Sequence, residues 1–270
     1  VLKDAASQAI YGARAAAGVI LITTKRGKEG ILQLNYDYEY GISEPTTLPS
    51  FVGARDYRNM INERSLNDGG GNIFDPAVND NYDELHRSDP DAYPDTDWQD
   101  LTLNNKTTNR HRHDLSMSVG TEKVKTRASL SYVTEDGLYE NRDYDRYTFR
   151  VNNNLQMYKW LEANVDIYYK RTETLEPSLD PNVIRQARLY PGIYSAIRTD
   201  GLWGEGKDGE NNLAATIEGG TLDQRFNQIS GILGVTIKPF EGLSIRANIS
   251  PTYNFNKFNE FTTPALIPRQ

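Results

Sequence analysis

Residues 31–42 alternate without a break. Leu32, Leu34, Tyr36, Tyr38, Tyr40 and Ile42 are apolar or aromatic, while Gln33, Asn35, Asp37, Glu39 and Gly41 between them are polar or small. Side chains of a β-strand leave opposite faces with a period of two, so this stretch has one apolar and one polar face. A helix would scatter both sets around its circumference. The same period returns at residues 110–120, 125–134, 146–155, 161–170, 229–237 and 243–255. A chain patterned in this way folds as an antiparallel β-meander, and the remaining question is what each face meets.

The connections answer part of it. Residues 43–108 and 172–225 are long excursions and 135–145 is a medium one; residues 121–124, 157–160 and 239–242 are short turns. Long and short alternate, so every short turn falls on one side of the sheet. Transmembrane barrels segregate their loops in this way, whereas a soluble sandwich has no reason to. Asp37, Glu39, Arg127, Arg146, Arg150, Glu162, Asp166 and Arg246 sit mid-strand opposite apolar positions. A wet lumen backed by lipid produces that pattern, and so does a soluble sheet with one solvated face. The long excursions are predicted to contain helices at 54–67, with Tyr57, Met60 and Ile61 on one stripe, and at 181–189. The stretches 74–100, 190–204 and 207–212 read as loop.

Composition narrows the function classes. The chain has no cysteine, which excludes disulfides, thiolate metal sites and a cysteine nucleophile. Its net charge of −7 argues against nucleic acid as a partner. A mean hydropathy of −0.66 suits a soluble protein and a membrane barrel alike, since barrel strands are apolar on one face only. The excess of tyrosine, 17 against 8 phenylalanine, favours surfaces apolar at one end and wet at the other.

The opening stretch, residues 1–28, reads as a short Ala-rich helix to Tyr11, a connection of small residues, a β-branched strand at 19–24 and a charged exit, Lys25-Arg26-Gly27-Lys28. The segments KDA, AIYG, GVILITTK and RGK, in this order and spacing, closely resemble the end of the plug domain in TonB-dependent outer-membrane transporters of the SusC/RagA type. Residues 96–100 also resemble part of the first extracellular loop of that family. The resemblance implies an all-β membrane fold. Residues 1–28 would be the C-terminal end of a plug, and 29–270 the N-terminal part of a transmembrane barrel, a partial meander of about seven strands with its long loops on one side. It further implies TonB-dependent uptake of glycan oligosaccharides or peptides across the bacterial outer membrane, with no enzymatic activity and no cofactor. A SusD-like surface lipoprotein, the TonB complex and outer-membrane lipid would be partners. On this reading the chain is an internal fragment, and the strand at 19–24 packs outside the main sheet against its polar side. A soluble carbohydrate-binding or adhesion sandwich is the alternative.

Chemistry selects the candidate site. Asp89, Asp91, Asp95 and Asp97 are interrupted by prolines and lack the spacing of a calcium loop, so a solvated loop is expected. His111 and His113 share a strand face without a ligand motif, and no carboxylate pair stands out as a glycosidase dyad. Sugars offer apolar CH faces to aromatic rings and hydroxyls to polar groups. Trp98 in the first long loop, Tyr139 in the medium one, and Tyr190, Tyr194 and Trp203 in the second are therefore the substrate-binding candidates.

Overall fold

The computed structural model describes residues 18–20, 24–103, 107–178 and 183–264. The helix expected before Tyr11 lies outside them, as do the middle of the strand expected at 19–24 and the first residues of the helix expected at 181–189.

One antiparallel sheet organises the rest. Its strands follow chain order: β1 (Gly30–Ser43), β2 (Thr108–Gly120), β3 (Val124–Asp136), β4 (Asp143–Tyr158), β5 (Leu161–Pro177) and β6 (Gly220–Ile237). β7 (Ile245–Ile249) and β8 (Thr252–Thr262) both pair with β6, and the sheet does not close on itself. The return strand expected at 243–255 is thus two segments. Pro251 has no N–H to give to the ladder, and the contact there is Gly231 N donating to the Pro251 carbonyl at 3.0 Å.

The register keeps the two faces separate across the whole sheet. One row runs Tyr36, Leu115, Leu130, Phe149, Tyr169, Ile229, Tyr253; the next runs Asp37, Asp114, Ser131, Thr148, Lys170, Gln228, Asn254. The apolar row is the exposed one. Leu130, Phe149 and Ile167 are 51, 41 and 48% exposed although β3, β4 and β5 are hydrogen-bonded on both edges. Open edges therefore do not account for that exposure. The polar face is where burial occurs: Ser118, Asn152 and Asp166 are all buried. The sheet is inside-out relative to a soluble domain.

Rings border the apolar face at two heights. At the long-loop side Tyr38 lies 4.9 Å from His113, His113 6.2 Å from Tyr132 and Tyr132 4.9 Å from Tyr147, one ring from each of β1–β4. At the short-turn side Tyr158 stacks on Trp160 at 5.6 Å, with Phe240 exposed beside the next turn. Along β4 the two borders, Tyr147 and Tyr158, are roughly 36 Å apart at about 3.3 Å per residue. Tilted by about 35–45°, that leaves a band roughly 25–30 Å tall, the height of a barrel's lipid-facing belt.

Sequence expectations are corrected at the long-loop side. β5 runs to Pro177 and β6 starts at Gly220, so the second excursion is shorter than residues 172–225. Arg171, Glu173, Asp223 and Arg225 break the apolar alternation there, yet they continue the ladder and pair across strands, Arg225 to Glu173 at 3.3 Å. The helix Ala54–Asn67 has the expected bounds, but its buried residues are Ala54 and Asn62, and Met60 is exposed. Asn62 fixes the following turn, accepting from Ile73 N and Phe74 N and donating to the Phe74 carbonyl. The stretch 74–100, read as loop, contains the short helices Pro76–Asp80 and Tyr82–Ser88 and the start of Trp98–Thr102, and a further helix, Asn212–Glu218, begins where the stretch 207–212 ends.

Candidate functional site: the outer-loop body and the polar wall

The three loops on the long side form one body. Thr96 N donates to the Gly192 carbonyl at 2.9 Å, and Thr199 donates to Asp91 from both N (2.9 Å) and Oγ1 (2.5 Å), joining the first loop to the third. Asn141, at a φ of 59°, donates to the Thr216 and Ile217 carbonyls and ties the middle loop to the helix Asn212–Glu218. The Thr199 hydroxyl and amide hold the Asp91 carboxyl below its ordinary range. A lowered folded-state value means the tie is intact above the unfolded pKa of about 3.9 and is lost as the pH falls through the lowered one.

The four aspartates considered for calcium each accept a backbone N–H, three of them within the first loop and Asp91 across to the third. Asp89 accepts from Ala92 N, Asp91 from Thr199, Asp95 from Ala54 N and Asp97 from Asp100 N. Among the described residues no group of three metal-binding side chains occurs. His111 and His113 take hydrogen bonds with Tyr38 and Tyr36, both at 2.8 Å, on the apolar face. The pair belongs to the ring border.

Four of the five aromatic candidates come together. Trp98 is buried with Ala196 and Leu213, and Tyr190, Tyr194 and Trp203 pack around them. Trp98 meets Tyr190 edge to face, centroids 4.9 Å apart. Trp203 pairs by an isolated β-bridge with Ile197, and Asn211 ties the turn by donating to the Ala196 and Gly204 carbonyls. Tyr139 lies apart in the 137–142 loop, half-buried. Beside the cluster, at the seam of the first and third loops, is a cleft of about 420 Å³ lined by Tyr57, Asp95, Trp98, Tyr190, Tyr194 and Lys207 among others. Burial, Tyr57 and Asp208 push the Tyr194 hydroxyl up from its usual range, so it stays a neutral donor in this cleft. Trp98 is an anchor of the body more than a free ring, while Tyr190, Tyr194 and Trp203 keep partial exposure. That Tyr57, Asp95 and Lys207 line the cleft escaped the sequence reading, because nothing in their own stretches marks the facing loop.

A second cluster lies on the polar face, toward the short-turn side. Arg26 ion-pairs with Asp166 and reaches Asn154 at 3.4 Å; Asn152 donates to the Lys25 carbonyl at 3.0 Å; Lys28 N donates to Ser118 Oγ at 3.2 Å. Gly27 passes so close that a Cβ would lie 2.6 Å from Thr126 N. The charged exit at 25–28 is therefore strapped across β2–β5. This is the side on which the preceding strand was expected to pack. Asp166→Ala is expected to weaken the strap by about 1–2 kcal/mol, the lower part of the range for bonds to a charged group because Arg26 is partly exposed. Trypsin cleavage after Lys25, Arg26 and Lys28 should accelerate, and unchanged cleavage would contradict the strap.

Comparisons with known proteins agree with this geometry. No protein-family model matches the chain. TonB-dependent receptor P26 of Formosa agariphila is 24% identical across 97% of this chain and 26% of its own length. TonB-dependent receptor SusC of Bacteroides thetaiotaomicron is 31% identical over 153 residues, 56% of this chain and 13% of that protein. The structure of the RagAB peptide importer in its 'open-open' state superposes with a TM-score of 0.71 at 21% identity, over 98% of this chain and 33% of that one. The sheet is a section of a barrel wall of that fold. The chain is thus similar to TonB-dependent receptors of the SusC/RagA type, and it spans about a quarter of the length of P26.

Proposed function

We propose that the chain is part of an importer that takes up nutrients across the bacterial outer membrane, driven by the TonB complex. The observation that carries this reading is the inside-out sheet: apolar residues of interior strands are exposed between two ring borders, while Ser118, Asn152 and Asp166 are buried. A soluble carbohydrate-binding sandwich would bury the face that carries Leu130, Phe149 and Ile167 instead. Residues 1–28 are the end of the plug and 29–270 the first part of the barrel, with the strap at 25–28 joining the two. Lipid of the outer membrane covers the apolar face, and a SusD-like lipoprotein closes over the outer-loop body. The transported ligand is an oligosaccharide or a peptide, and Tyr139, Tyr190, Tyr194 and Trp203 contact it, with Trp98 supporting them.

The test is uptake by cells carrying the full-length parent. Import of labelled oligosaccharides or peptides should require the parent and stop when the proton-motive force is collapsed. Recovery of the parent as a monodisperse protein without detergent would overturn the reading. Trp203→Ala should reduce uptake while the barrel still assembles, since Trp203 lies at the margin of the cluster. Full ligand affinity in that variant would return Trp203 to a purely packing role.

A further inference from the structure

We propose that the polar face of β4 and β5 carries a binding site for an acidic oligosaccharide, centred on Arg146, Arg150 and Lys170. The inference rests on the transport reading, which makes this face the wall of a wet passage.

The register brings the three cations together. Lys170 is directly opposite Thr148, and Arg146 and Arg150 flank Thr148 on the same face. Lys170 is thus diagonal to both, at roughly 7–8 Å. Among the described residues none of the three has a carboxylate partner; the contact given for Arg150 is the Tyr168 ring, 4.8 Å below its guanidinium. Arg127 and Arg246 of the same face meet hydroxyls, of Ser116 and Thr236, rather than carboxylates, whereas Arg146 and Arg150 share Lys170 as a diagonal neighbour. The chain is acidic overall, with net charge −7, and other cations of the same face are paired: Arg26 to Asp166, Arg110 to Glu39 and Arg112 to Asp114. Like charges left adjacent on a partly buried wall repel one another unless an anion neutralises them. Arginine's planar fork matches a carboxylate or sulfate with two parallel hydrogen bonds, and Lys170 adds a point charge between the forks.

The surroundings favour a sugar. Ser129, Ser131, Thr148, Thr172 and Gln228 occupy neighbouring positions on the same face. They offer hydroxyls and an amide to a ligand that is polar on every residue. The apolar side chains of a peptide would find little beside these cations: the Tyr168 ring, already covered by Arg150, the buried Val133 opposite Arg146, and Phe226 and Ile232 on β6. The site lies between the strap at 25–28 and the outer-loop body, so a ligand that has left the loop cleft reaches it before the plug's attachment.

Binding to the purified full-length parent in detergent tests this without requiring energised uptake, so its failure is separable from failure of the transport reading. The probes are tetragalacturonate, neutral maltotetraose and tetraglutamate, titrated by calorimetry. Tetragalacturonate should bind at least about tenfold more tightly than the other two, and more weakly as salt is raised. The triple variant Arg146→Gln, Arg150→Gln, Lys170→Gln should lose that preference. Lys170→Gln alone, a change easily folded around, should lose part of it. Equal binding of the acidic and neutral sugars would overturn the proposal, as would tighter binding of tetraglutamate. Unchanged affinity in the variants, with only their thermal stability lowered, would also overturn it and assign the cations to a plug contact.

Discussion

Trp98→Ala is expected to destabilise the outer-loop body by about 3–5 kcal/mol, the cost of emptying a large aromatic site in a packed core. Trp98 is 2% exposed and holds Tyr190, Tyr194 and Trp203 around Ala196 and Leu213. Its loss leaves a cavity where the first and third loops meet, and the single strand-like contacts between them, such as Thr96 N to the Gly192 carbonyl, are too few to compensate. Hydrogen exchange in the helices Trp98–Thr102 and Val183–Leu189 should accelerate together in the full-length parent. Exchange in β3–β5 should not change, because the sheet has its own ladder. Acceleration confined to one loop would mean that the two do not form one body.

Val165→Arg is expected to cost about 2–4 kcal/mol of folding free energy into lipid vesicles, because a guanidinium at mid-belt must be desolvated or must distort the bilayer. Val165 is two residues from the exposed Ile167, on the apolar face of β5. Asn164→Arg points to the polar face and should cost much less. Leu161→Arg and Tyr169→Arg, nearer the ring borders, should cost about 0–1 kcal/mol. A soluble core would resist arginine at each of these apolar positions, so the depth dependence is the informative quantity. Equal penalties along the face, or a larger one at Asn164, would reverse the assignment of which side meets lipid.

The sheet was legible in the sequence because a strict period of two survives any tertiary context. Residues 31–42 appear as β1 with one residue added at each end. Legibility failed where another interaction replaced the pattern. The outer ends of β5 and β6 carry Arg171, Glu173, Asp223 and Arg225 in place of apolar residues, and cross-strand ion pairs continue the ladder. The helices inside 74–100 are one or two turns long, too short to show a 3.6 period, and are fixed by caps such as Asp75 accepting from Ala77 N and Asp97 accepting from Asp100 N. The aromatic candidates were found by type, but their convergence was not readable. Trp98 and Tyr190 are far apart in the chain, and only the ties from Asp91 to Thr199 and from Thr96 to Gly192 bring their loops together. The strap was hidden for a similar reason: nothing in Lys25-Arg26-Gly27-Lys28 names Asp166 as the partner.

The most direct test of the lipid-facing sheet uses single cysteines in the parent; this chain has none of its own, and any cysteine elsewhere in the parent is first replaced by serine. Single cysteines placed at Ile167 and at Asn164, neighbours in height on opposite faces of β5, can carry an environment-sensitive fluorophore in the parent folded into vesicles. At Ile167 the fluorophore should be quenched by nitroxides on lipid tails and shielded from aqueous iodide. At Asn164 it should ignore the lipid-borne quencher. Iodide quenching at Ile167, with no response to the lipid nitroxide at either position, would contradict a membrane barrel.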